Sequence, residues 1–238
     1  MRRSSYILIC LLITCGTFAQ QKINIHFEHY ANGKQIIPVD SSYTNNFGEI
    51  YSISKLKYYV SNICFITDRN IPTKPSVYLV DASRQNNFSL DLPKGKITGI
   101  EFLLGVDSIL NCSGAQEGVL DPLNDMFWTW NNGYVMFKLE GNSPSSSAVD
   151  NRLEYHIGGY KGIHRTMRKV RLPLTQLPAK SFAREINVCL NLDKYWTGKN
   201  NITISKLSVI TLPGAEAAAI ADNFVGMFTI NSIYCYSL

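Results

Sequence analysis

The chain has 238 residues, with 23 Lys and Arg against 18 Asp and Glu for a formal net charge of +5; it is 45% apolar, 17% charged and 11% aromatic. Charge this sparse, against roughly 25% in an average soluble domain, excludes a coiled coil and a basic nucleic-acid tail, while the supply of Gly, Asn, Ser and aromatic residues points to β structure. Outside the N-terminus, no apolar run reaches the roughly 18 residues that a spanning helix needs.

The N-terminus reads as an export signal. Arg2 and Arg3 precede an apolar stretch at Tyr6–Thr14, and Thr17-Phe18-Ala19 places small residues before Gln20. Cleavage after Ala19 is expected to leave residues 20–238 as one domain, periplasmic or on the outer surface. Leu12-Ile13-Thr14-Cys15 loosely resembles a lipobox, and a lipoprotein anchored at Cys15 is the less favoured alternative. Losing Arg2 and Arg3 lowers the charge to +3, too weak to specify an acidic partner. Four cysteines remain, Cys64, Cys112, Cys189 and Cys235. They allow three pairings, none chosen by spacing, and the lack of a CxxC argues against a zinc ribbon or a thioredoxin-type site.

Strand signals then recur between turns. Lys22–Tyr30 alternates and is followed by Asn32-Gly33; Tyr51–Asp68 is long enough for two strands, and Val77–Val80 reads as a buried one. Lys96–Leu104 follows Pro93-Lys94-Gly95, and Phe127–Trp130 faces Tyr134–Glu140 across Asn131-Asn132-Gly133, a hairpin signal. Arg152–Ile157, Arg168–Leu174, Glu185–Leu192, Asn201–Thr211 and Met227–Tyr236 complete the set, with Gly141–Asn151 expected as a flexible stretch. Ala215–Phe224, opened by Pro213-Gly214, is the one predicted helix. The expected fold is all-β: a single-domain antiparallel β-sandwich with one short helix in its C-terminal region.

No GxSxG, Walker A, GxGxxG or HExxH motif is present, so binding rather than catalysis is expected. A hydrolase would need a histidine joined in space to a serine or carboxylate. Asp121 and Asp125, in Asp121-Pro122-Leu123-Asn124-Asp125, read as solvated turn carboxylates, with a calcium-binding loop as the alternative. Histidine is scarce, at His26, His29, His156 and His164. Alternation puts His29 with Ile25 and Phe27 on an apolar face and His26 with Asn24 and Glu28 on a polar one. It puts His156 beside Glu154, opposite Leu153, Tyr155 and Ile157. His164, near Arg165 and Arg168, reads as solvated. Trp128 and Trp130, two apart, share a face in an extended backbone. Core packing is the ordinary role of such a pair, but it abuts a turn, and imidazole with an aromatic shield suits a copper centre.

The run Leu120-Asp121-Pro122-Leu123-Asn124-Asp125-Met126-Phe127-Trp128-Thr129-Trp130-Asn131-Asn132-Gly133-Tyr134, with Lys138-Leu139-Glu140-Gly141 and Tyr155-His156-Ile157-Gly158-Gly159, resembles the MbnP-like family of exported copper-binding proteins. Leu56–Ile63, Leu104–Ser108 and Ala221-Asp222-Asn223-Phe224 add to it, in a form similar to the branch common in Bacteroidetes. The resemblance implies a β-sandwich that binds copper through histidines. In some members a tryptophan is oxidised to kynurenine by a partner di-haem enzyme of the cytochrome c peroxidase type. Carried onto this chain, His156, Trp128 and Trp130 match family positions, and His29 matches a first-strand histidine of this branch. The metal-site residues expected are therefore His156, His29, His26, Trp128 and Trp130, with His156 and at least one of His29 or His26 converging on Trp128 or Trp130. The chain departs from the pattern before Pro213-Gly214, where a histidine-containing stretch is replaced by Ile210-Thr211-Leu212. A metal-free interaction or adhesion domain on the same scaffold is the alternative function.

Overall fold

A computed structural model describes residues 22–39, 41–68, 75–84, 86–93, 95–129, 131–174 and 182–236. The strands are, in chain order, β1 (Lys22–Ala31), β2 (Lys34–Gln35), β3 (Ser42–Thr44), β4 (Ile50–Ser52), β5 (Lys55–Thr67), β6 (Val77–Asp81), β7 (Asn87–Asp91), β8 (Ile97–Leu104), β9 (Phe127–Thr129), β10 (Gly133–Asn142), β11 (Arg152–Gly158), β12 (Arg168–Pro173), β13 (Phe182–Asn191), β14 (Val209–Ile210) and β15 (Phe228–Tyr236). Among the described residues, the α-helices α1 (Ser108–Cys112), α2 (Asp193–Trp196) and α3 (Ala215–Ala221) lie between them, along with short 3-10 turns.

Two sheets form the sandwich. The smaller runs β15-β13-β1-β2, with β7 also on β1; the larger runs β12-β8-β5-β10-β11-β14, with β6 on β5 and β9 on β10. Most pairings are antiparallel, as expected, but β1–β13 and β11–β14 are parallel. The alternation of β1 buries Ile23, Ile25, Phe27, His29 and Ala31 against the inner face of the large sheet, where Leu56, Tyr58, Phe102, Phe137, Leu139 and Tyr155 meet them. Aromatic rings dominate this core: Tyr58 stacks on Phe137 at 5.7 Å, and Phe137 on Tyr195 at 5.6 Å. Trp196 closes one end, its Nε1–H donating to the Tyr51 hydroxyl at 3.2 Å.

The large sheet is unusual in that its outer face is also covered. Residues 106–129 fold back over it as a cap, and Tyr59, Val106, Leu120, Met126, Tyr134 and Met136 belong to a second, smaller apolar cluster beneath. The predicted hairpin of β9 and β10 is present, and Gly133 turns it at φ +72°, where a Cβ would be driven into the Asn111 side-chain oxygen and against the Tyr160 ring.

Three local expectations are corrected. Asn201–Thr211 is a strand only at Val209–Ile210, because the Ile204 and Ser205 N–H groups are taken by the Glu49 carboxylate at 2.7 and 2.9 Å instead of by a ladder. Of the expected flexible stretch Gly141–Asn151, Gly141 and Asn142 end β10 on its pairing with β11, and the rest is a pinned loop, with Ser143 and Ser146 buried and their hydroxyls donating to the carbonyls of Ile50 and Arg152 at 2.6 and 2.7 Å. The helix predicted to Phe224 stops at Ala221. Beyond it Asp222 binds Arg168 and Lys199, and the Asn223 amide donates to the Tyr195 and Asn200 carbonyls. Cys64, Cys112 and Cys189 are free thiols.

Candidate metal centre

The polar residues of the large sheet that face away from the core form a grid fixed by register. Across β5, β10 and β11, Lys57, Lys138 and His156 lie in one row, and Lys55, Glu140 and Glu154 in the next. Two glutamates directly opposite each other repel, and two lysines do the same, so both rows need partners of opposite charge. His156 lies between the carboxylates, its Nε2 2.8 Å from Glu140 Oε1 and 3.5 Å from Glu154 Oε1. Ligand atoms of Glu140, Glu154 and His156 all fall within 4.8 Å of one another, which places three metal-type donors at one point.

The cap supplies the rest. Asp125, in a left-handed backbone conformation (φ 62°), receives Lys55 Nζ at 2.9 Å and Lys138 Nζ at 3.0 Å. Lys55 also reaches Glu140 Oε2 at 3.1 Å, Lys138 lies 3.6 Å from Glu140 Oε1, and Lys57 Nζ donates to the Asn124 carbonyl at 3.3 Å. Asp125 is thus exposed to solvent on its turn, as expected, and also serves as counter-ion to two lysines. Burial works to raise its pKa, but hydrogen bonds from Lys55 and Lys138 outweigh it and hold it below the usual range. The carboxyl of Glu140 is held down at about 2, first by the His156 hydrogen bond, with Lys55 and Lys138 adding to it against the cost of burial. An ionised carboxylate only accepts, so the His156 Nε2 that points at it carries a hydrogen.

Trp128 belongs to the same face. Its indole lies over Gly158, where an added Cβ would come within 2.7 Å of Cζ3. Gly158 is two residues beyond His156, about 7 Å along the strand and on the same side. Only glycine leaves room for the ring there. Trp128 is half-buried against the second apolar cluster, so it packs there while its ring covers Gly158.

The other predicted residues go elsewhere. His29 is buried between the sheets, sharing a 3.0 Å hydrogen bond with the Tyr58 hydroxyl; burial lowers its pKa to about 4, partly opposed by Asp81. It approaches the large sheet from the inside and His156 stands on the outside, so the two do not converge. His26 is on the outer face of the other sheet, 3.6 Å from Glu185. The expected meeting of His156 with His29 or His26 therefore does not occur. Trp130 lies outside the described residues, as do residues 1–21. Sequence reasoning missed Glu140, Lys138 and Lys55 because strand register joins them to His156. β14 runs parallel beside Glu154 and Tyr155, so the chain entering Thr211 and Leu212 rises alongside His156, and Pro213 packs against Gly159. Leu212 is 64% exposed at that place.

As a donor set, one imidazole with two carboxylates suits a divalent ion such as Cu(II), whereas soft sulfur ligands, which favour Cu(I), are absent from the cluster. The residues fit copper in its divalent state. Three cations, Lys55, Lys138 and Arg152, already face the three carboxylates, Arg152 Nε lying 3.2 Å from Glu154. Any incoming ion competes with them.

The structure is similar to MbnP from Methylosinus trichosporium, with a TM-score of 0.57 and 15% identity, over 91% of this chain and 99% of that one; at such identity the likeness establishes the fold. Comparison with curated proteins finds no match. The MbnP family model matches residues 20–213, and the chain belongs to the MbnP family.

Proposed function

We propose that this chain is an exported protein that binds and holds copper, without turnover, at the outer face of its large sheet, with His156 as the imidazole ligand beside the Trp128 hairpin. The observation that supports this most directly is the convergence of His156, Glu140 and Glu154 within 4.8 Å on the face that Trp128 covers, in a chain of this family. His156 binds through Nε2 once the hydrogen there moves to Nδ1 or leaves, and Glu140 and Glu154 balance the charge of a divalent ion. Trp128, packed over Gly158, shields one side. The partner in this reading is a di-haem enzyme of the cytochrome c peroxidase type that oxidises a tryptophan of the hairpin, and peptide mass mapping of protein exported with and without that enzyme tests it.

A thermal melt of Gln20–Leu238 with and without Cu(II) or Cu(I), repeated on His156→Ala, tests the site. Native-state binding raises stability by about 3 kcal/mol at a hundredfold excess over Kd. A shift with Cu(II) that vanishes in His156→Ala is expected, and no shift with either ion overturns the reading. That second result would favour a metal-free interaction domain, for which the existing pairing of Glu140 and Glu154 with lysine, arginine and histidine speaks.

A further inference from the structure

Lys138 stands out among the charged groups because it is only 3% exposed and yet lies on the polar side of its strand. Its neighbours Phe137 and Leu139 point into the main core, and the Asp125 turn covers its own side chain. A buried ammonium is retained only where carboxylates compensate for its lost hydration. Here those carboxylates are Asp125 at 3.0 Å and Glu140 Oε1 at 3.6 Å. That Glu140 oxygen is also the one hydrogen-bonded to His156 at 2.8 Å. One oxygen of the donor cluster is thus shared between an imidazole N–H and a buried cation.

We infer that Lys138 is a built-in surrogate for the metal: its ammonium supplies positive charge at Glu140 Oε1 when the site holds no ion, and a metal enters by displacing it. The inference rests on the copper site proposed above and names what sets the affinity of that site. Glu140 and Glu154 face each other across β10 and β11, so some cation must sit near them for the sheet to close. Lys138 and the metal are therefore alternatives, and each weakens the hold of the other through the same carboxylate. Lys55, at 3.1 Å from Glu140 Oε2, contributes in the same sense but is 43% exposed, so water screens it more strongly. Lys138 also ties the Asp125 turn of the cap to the sheet, so displacement of its ammonium loosens the segment that carries Trp128.

The test is direct titration of the purified protein with Cu(II), and separately with Zn(II), in wild type, Lys138→Met, Lys55→Met and His156→Ala, with thermal melts of each. Removing a unit charge next to a divalent ion is expected to tighten Cu(II) binding by tenfold or more in Lys138→Met, and by less in Lys55→Met. The apo form of Lys138→Met is expected to melt lower and to gain more on adding Cu(II). A purely structural lysine predicts the opposite, because losing it would disorder Glu140 and weaken binding. Wild-type binding that depends on His156 but is unchanged or weaker in both lysine variants overturns the surrogate role and leaves the copper site standing. Absence of His156-dependent binding in every variant overturns both. Should Lys138→Met fail to fold, the more exposed Lys55→Met still decides, since tightening there supports the inference and weakening overturns it.

Discussion

His29 and His156 approach the same eight-stranded sheet from opposite sides, and the sheet gives them opposite chemistry. On the inside, His29 meets a tyrosine hydroxyl and aromatic rings, and burial keeps it neutral down to about pH 4. On the outside, His156 meets two carboxylates inside a lattice of ion pairs, two residues before the glycine that Trp128 covers. The residue type is the same, and the difference comes from which face of a pleated sheet each strand position reaches. Solvent access and neighbouring charge then decide whether an imidazole packs among rings or sits among carboxylates.

Substitutions on the two faces sharpen this contrast. On the inside, Phe137→Ala is expected to cost about 3–5 kcal/mol by opening a cavity among Tyr58, Tyr195 and Phe224, read as a loss of denaturation midpoint. Acid should expose His29 next. Its pKa lies near 4 in the folded chain against 6.5 unfolded, so the folded state takes up its proton later. Stability is full above pH 6.5 and falls by about 3 kcal/mol as pH drops to 4. Denaturant titrations at pH 7 and pH 4.5 measure the slope, and His29→Gln should flatten it.

On the outside, Gly158→Ala pushes a methyl group against the Trp128 ring and the Tyr134 carbonyl, each 2.7 Å away, for a loss of about 1–3 kcal/mol. A changed tryptophan emission would report that the ring has moved; unchanged emission with full stability would show that the indole does not rest on Gly158. Glu140 responds to acid in a lower window. With its folded pKa near 2 against 4.5 unfolded, the stability it contributes is present above pH 4.5 and lost towards pH 2. Glu140→Gln should remove that dependence, at a cost of about 1–2 kcal/mol near neutrality. The smallest effect belongs to the exposed pairs of Lys169 and Arg171 with Glu101, where Lys169→Ala is expected to change stability by less than about 0.5 kcal/mol.

Much of the frame was legible because strand alternation is local. Ile25, Phe27 and His29 could be placed inside, and His156 with Glu154 outside, from spacing alone, and the Asn-Gly hairpin was readable from its turn residues. The stretch Asn201–Thr211 misled for a physical reason. Its apolar alternation is genuine, but Glu49, more than 150 residues earlier, takes the backbone donors that a neighbouring strand would have used. The stretch Gly141–Asn151 read as flexible, yet its first two residues end β10 and the hydroxyls of Ser143 and Ser146 pin the remainder.

The sequence by itself determined the β-rich class, the face of each histidine and the motifs that carry the family resemblance, since each depends on residues close along the chain. Only the tertiary structure decided which histidine has metal-type company. Glu140 reaches His156 through the register of β10 on β11, Lys55 through β5 on β10, and Asp125 through a cap folded over all three. Register and cap position follow from how the sheets bury their apolar faces together, a property of the whole chain that no local spacing encodes.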